Sequence, residues 1–234
     1  TGYSDYASLG QYTLLVTLPS DGAWAATAGG TYSWTDSANW SSGTFPLGWS
    51  GIARVNNDIS GDQSITIDAP VTIGRLLLGD ANSTHAFTLQ ASGAGGLRFG
   101  TTNGSAGIAK FSGLNDTILA PLQLQTNLSV TNTTTADLIL AGTVEGPFVL
   151  SKYGFGRLVL TGNNEPNGLN LVEGTLALDG TASITTIPNI TVGPGAILDA
   201  SALSGGWSLG PAQTLAGHGV ITGAVVAVAG SHLA

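Results

Sequence analysis

The 234-residue chain carries 6 Lys plus Arg against 14 Asp plus Glu, a net charge of −8, with 35 Gly and neither Cys nor Met. Charged residues make up 9 % of it, against about 25 % in ordinary soluble domains. Six cations cannot build the phosphate-tracking stripe of a nucleic-acid-binding protein or a patch for an anionic membrane, and zero Cys excludes a disulfide scaffold.

The 42 % of hydrophobic residues suffices for a core, and the abundant Gly, Ser, Thr and Asn suit a stacked sheet with hydroxyl and amide ladders outside. With no initiator Met, a fragment or processed product is expected, any targeting signal lying outside it. No 18-residue apolar run reads as a membrane span, so no membrane insertion is expected.

Residues 1–19 differ in texture from the rest, and the alternation Gln11-Tyr-Thr-Leu-Leu-Val-Thr-Leu18 reads as a strand. It is expected to be an extension, the end of a preceding domain or an edge seeking a partner. Residues 20–64 hold Trp24, Trp34, Trp40 and Trp49. Bulky aromatics there can cover the open apolar end of a first rung. The other reading is a carbohydrate-binding platform, in which exposed indole faces stack on the pyranose rings of a polysaccharide.

From residue 65 to 234 short period-two alternations are separated by Gly- and Asn-rich corners, the pattern of half-buried strands. Expected strands are Ile65–Ile67, Val71–Leu78, Phe87–Leu89, Leu97–Phe99, Ala109–Phe111, Ile118–Leu124, Leu128–Val130 and Leu138–Val144. The stretch Val144–Leu178 holds four more alternations, at Phe148–Leu150, Leu158–Leu160, Leu169–Leu171 and Leu176–Leu178. Beyond it, Ile190–Val192, Ala196–Leu198, Trp207–Leu209, Thr214–Leu215, Val220–Thr222 and Ala224–Val228 complete the series. No segment reads as a helix. Strands this short and corners this even predict coils of about 20 to 25 residues stacked into a β-solenoid. The end, Gly230-Ser-His-Leu-Ala234, breaks off inside a strand-like pattern, and the native chain is expected to continue.

The central stretch Gly146…Lys152-Tyr-Gly-Phe-Gly-Arg-Leu-Val-Leu-Thr-Gly-Asn-Asn164…Gly168…Val172-Glu-Gly-Thr-Leu-Ala-Leu178 resembles the autotransporter-associated β-strand repeat. The usual form of that repeat is G-x-G-x-L-x-K-x-G-x-G-x-L-x-L-x-G-x-N, then G-x-x-x-V-x-x-G-x-L. Pro147 stands where a second Gly is common, and Glu165-Pro166 replaces a usual Thr-Tyr. The resemblance assigns Lys152, Gly154, Gly156, Gly162, Asn163 and Gly174 as structural motif positions. Gly30…Trp34…Asn39-Trp40…Gly43…Pro46 is similar to the W-x-x-x-x-N-W-x-x-G-x-x-P opening found before such repeats. Leu215-Ala-Gly-His-Gly-Val-Ile-Thr-Gly-Ala-Val resembles the coil that often follows. Gly2-Tyr-Ser-Asp-Tyr…Leu14 is similar to the closing segment of some secreted bacterial metallopeptidase regions, without any His-Glu-x-x-His motif in the chain. The resemblance implies a right-handed parallel β-helix in a secreted or surface protein of a Gram-negative-type bacterium, and does not imply an enzyme.

Chemistry-bearing residues are sparse. His85, His218 and His232 read as surface turn residues, too far apart to supply the base of a nucleophilic triad. The best carboxylate pair for a β-helix polysaccharide lyase or hydrolase is Asp179 with Asp199, about one coil apart, neither with a cation nearby in sequence. Asp58 and Asp62 are weak candidates for Ca²⁺ through loop oxygens, without EF-hand spacing; no cofactor is otherwise expected. Lys152 is expected to form a buried or rung-to-rung ion pair with Glu145 or Glu173. The reading is an all-β parallel β-helix acting as a non-catalytic extracellular stalk, adhesion or fibre-forming segment. Head-to-tail self-association is expected at its ends, and a carbohydrate-binding region of a secreted enzyme is the alternative.

Overall fold

A computed structural model describes residues 18–234, so the strand expected over Gln11–Leu18 and the metallopeptidase-like stretch lie outside the described residues, Leu18 excepted. The chain winds into a β-solenoid of about eight turns built from parallel strands. Most turns contribute a strand to each of three faces; between Leu178 and Asn189 the third face has only a single bridge at Ser183. The first face runs through ten strands: Gly22–Ala23, Ile52–Val55, Arg75–Leu78, Ala106–Lys110, Leu128–Asn132, Val144–Tyr153, Asn164–Leu171, Asn189–Val192, Thr214–Gly217 and His232–Leu233. The second face is a nine-stranded sheet from Gly30–Ser33 to Val220–Thr222.

The third face starts at Pro70–Ile73, Gly96–Phe99 and Leu122–Leu124, which pair in that order. It then continues into the first halves of Val144–Tyr153 and Asn164–Leu171. These two long strands bend from the third face into the first, with the register slipping between Gly146 and Val149. Trp207–Leu209 and Val225–Ala227 form a separate parallel pair near the end.

Period two in the sequence becomes in-and-out alternation: Gln63–Ile67, Ala106–Lys110 and Leu128–Asn132 each alternate buried and half-buried residues. Because parallel pairing puts like positions in register, inward side chains stack into columns. One column on the first face is Ala53, Leu76, Ile108, Val130, Lys152, Leu171, Val192 and Gly217, at spacings of 23, 32, 22, 22, 19, 21 and 25 residues. On the second, Ile118, Leu140, Leu160 and Leu178 stack with no exposed surface beyond 1 %. Burying such a side chain contributes about 1.5–3 kcal/mol, and the columns repeat it turn after turn.

Three boundaries differ from the sequence reading. Val71–Leu78, Ile118–Leu124 and Leu138–Val144 are each broken by a corner, at Gly74, at Leu119–Pro121 and at Ala141–Thr143. The solenoid also begins before residue 65, since Gly22–Ala23 and Gly30–Ser33 already pair in parallel with Ile52–Val55 and Gln63–Ile67. Residues 20–64 are therefore the first turn with its cover. One three-residue 3₁₀ turn, Ser37–Asn39, lies in that cover, capped by Asp36.

Candidate functional site

Of the four tryptophans weighed for sugar stacking, Trp24, Trp34 and Trp40 are buried and pack edge to face on one another, with centroids 5.0 Å and 4.9 Å apart. Trp24 and Trp34 extend the first two strands, in line with Arg54 and Thr66 through backbone hydrogen bonds, and Trp40 bridges back to Trp24. Trp24 Nε1 donates to Gln63 Oε1 at 2.7 Å and Trp40 Nε1 to the Trp34 carbonyl at 2.7 Å. No ring of the three offers a face to a ligand, so the platform reading is corrected for them: they close the core at its first turn. Trp49 alone keeps a large exposed fraction, 45 %.

Lys152 occupies an inward position of the first face yet is fully buried. Its ammonium donates to the carbonyls of Tyr153 (2.9 Å), Gly154 (2.5 Å) and Glu173 (3.1 Å). The expected ion pair is corrected: no carboxylate oxygen of Glu145 or Glu173 lies within salt-bridge distance, and Glu173 Oε2 instead accepts the Gly154 N–H at 3.1 Å. Burial lowers the Lys152 pKa to about 8, against the opposing pull of the Glu173 charge. Around it the motif glycines let corners stack. Gly154 and Gly174 have φ of +76° and +74°, and a Cβ on Gly174 would sit 2.3 Å from the Gly154 carbonyl oxygen. Gly156 and Gly162 face backbone oxygens of the preceding turn as closely, at 2.4 Å and 2.5 Å for an added Cβ.

The motif asparagine needs a correction by one position. Asn163 is exposed and its amide donates to Glu165, whereas Asn164 is buried in the inward column after Val71, Leu97, Leu122 and Val144. The Asn164 amide donates to the Gly162 carbonyl at 2.7 Å and closes the corner.

A buried polar cluster, which the sequence reading passed over, lies two turns earlier at the same corner. Lys110 and Asp116 form an ion pair without exposed surface, and Lys110 Nζ also donates to the carbonyls of Ser112 and Leu114. Asp116 takes an inward position where the next rungs carry Leu138, Leu158 and Leu176. Burial pushes its carboxyl up, while the Lys110 charge and the Phe87 N–H pull it down. Asp80, also buried, accepts the N–H groups of Ile59, Thr84 and His85. Burial raises its pKa, but those hydrogen bonds outweigh burial and hold it below the usual carboxylate range. The one available signal was Gly79-Asp80-Ala-Asn-Ser-Thr, a turn composition in which a carboxylate binds following backbone N–H groups.

The remaining candidates stay apart. Thr175, Leu176 and Ala177 pair with Ile197, Leu198 and Asp199, so Asp199 stacks on Ala177 and Asp179 lies two positions further along. Asp199 accepts from Ser201 and Thr222, which hold its carboxyl low, and its Oδ2 lies 3.9 Å from Arg157, a cation the sequence reading did not place there. Asp179 caps the Gly180 N–H. Asp58 is exposed and Asp62 accepts the Ala86 N–H; among the described residues no three His, Asp or Glu side chains converge for a metal. His85 bonds Thr84 through Nδ1, and His218 and His232 are exposed.

Two surfaces remain. Exposed apolar residues, Phe111, Leu114, Phe155 and Val172, gather on the corner between the first and second faces. At the last turn Leu233 stands in the inward column of Leu215 but is 69 % exposed. No family model matches the chain, and neither does any curated protein or solved structure.

Proposed function

We propose that this chain is a non-catalytic structural segment of an extracellular or cell-surface protein: a β-solenoid rod that spaces, displays or joins what is attached to it. The observation that carries this reading is the first face itself, ten parallel strands in one stack from Gly22 to Leu233. A stack of that kind hydrogen-bonds every turn to the next and stays extended with few charges, which is what a spacer requires. The extracellular placement rests on the repeat-like motif between Gly146 and Leu178. The separation of Asp179 from Asp199, and the hydrogen bonds that occupy Asp199, favour a structural role over a lyase or hydrolase.

Among the described residues Val220–Thr222, Val225–Ala227 and His232–Leu233 are paired on one side only. Open edges above an apolar column accept another parallel turn, supplied by the same polypeptide or by a second copy. Sedimentation velocity over a concentration series tests this. Elongated species that grow with concentration are expected, and a compact monomer at every concentration would overturn the joining role.

A further inference from the structure

We propose that the cleft beside Trp49 binds a neutral sugar. This goes beyond the rod reading and does not depend on it. The indole is the one tryptophan ring with substantial exposure. A Cβ built on Gly100 would lie 3.2 Å and 3.3 Å from Trp49 Cδ2 and Cε2, so the ring lies face-on over the bare Gly100 backbone, and Trp49 is 45 % exposed among the described residues. The same built atom lies 3.1 Å from Gln125 Oε1, a buried acceptor without a hydrogen-bond partner.

The rest of the cleft is mainly apolar, with three hydroxyl side chains among its lining. Pro19, Leu47, Ser50, Thr72 and Thr102 line it with the ring, and none of them is charged. Ser50 holds the left-handed conformation at φ +70°, uncommon for a residue with a side chain. There its hydroxyl meets Thr101 Oγ1 at 3.0 Å and Thr102 Oγ1 at 3.2 Å and accepts the Thr102 N–H at 3.1 Å. Strain of this kind is kept where the surrounding structure fixes it. A flat apolar face beside convergent hydroxyls, without charge, matches a ligand with one apolar face and a hydroxyl rim. A pyranose ring has that shape. No charged side chain lines the cleft, Arg98 standing outside it in register with Thr72.

The other four tryptophans are at most 3 % exposed, so acrylamide quenching of the full chain reads Trp49 selectively. The probes are cellohexaose, maltohexaose, laminarihexaose and mannohexaose, with an oligogalacturonate as the charged comparison. At least one neutral probe is expected to protect Trp49 saturably at millimolar concentration, and oligogalacturonate not to. Ligand-observed NMR on folded Trp49→Ala is expected to show that binding lost, with Trp49→Phe retaining it about tenfold weaker, a loss of about 1.4 kcal/mol. Should Trp49→Ala not fold, Thr102→Val tests the hydroxyl side and is expected to weaken binding. Failure of every neutral probe to protect, equal protection by oligogalacturonate, or undiminished binding to the variants overturns the proposal.

Discussion

Lys152 shows what one side chain contributes to a corner. It sits where neighbouring rungs place Val130 and Leu171, and three carbonyls replace its water. Burial lowers its pKa from 10.5 to about 8. Over that window the unfolded chain holds a proton that the folded chain has released, so stability rises with pH and is flat below it. Denaturant midpoints of the wild type relative to Lys152→Met are expected to climb over this range, and a parallel pair of curves would contradict the assignment. Asp116 poses the opposite case, because replacing it with Asn leaves the buried Lys110 charge unpaired. A loss of about 3–5 kcal/mol in urea unfolding is expected. The sequence marked Lys152 through its motif and missed Lys110 and Asp116 altogether. Partner choice depends on how corners of adjacent turns superpose, and nothing local in a polar residue tells an inward position from an outward one. The shift from Asn163 to Asn164 has a different cause: the G-x-N spacing counted from Gly162 already falls on Asn164.

At the scale of strand and corner, most alternating segments were legible because one buried face imposes period two. Corners inside apolar runs showed only as a lone glycine, as at Gly74 and Gly142, or not at all, as at Leu119–Pro121. Gly74 joins Ile73 to Arg75 with no polar stretch between them, since a solenoid corner is itself packed against its neighbours: a Cβ there would lie 2.4 Å from Ser50 Cα. The first turn was read as a cap because its strands Gly22–Ala23 and Gly30–Ser33 are only two and four residues long; their partners hold them in place. Packing between corners also separates two glycines of similar backbone. Gly174 has φ +74° and meets the Gly154 carbonyl, whereas Gly180 has φ +61° with open space around its Cβ position. Gly180→Ala is expected to cost about 1–2 kcal/mol from conformation alone, and Gly174→Ala clearly more; equal losses in thermal unfolding would count against corner packing. Leu160→Ala, in the column of Leu140 and Leu178, is expected to lower stability by about 2–5 kcal/mol.

For the whole molecule, Trp24, Trp34 and Trp40 cover the core at the first described turn, and Leu233 continues the inward column of Leu215 at the last. In the proposed joining role the last described turn of one copy stacks on the first of the next, and the strands run across the direction of growth. Extension by a parallel turn preserves the spacing of about 4.8 Å between rungs along the rod. Placing a cation in the open column, as in Leu233→Lys, is expected to suppress association without unfolding the turns beneath. The most direct measurement is negative-stain imaging of wild type and Leu233→Lys over the same concentration series, with fibre diffraction of aligned wild-type material. Rods of constant width that lengthen with concentration, a meridional reflection near 4.8 Å and short rods for the variant are expected. Globular particles of fixed size, or variant rods as long as those of the wild type, would contradict a solenoid that joins through its last turn.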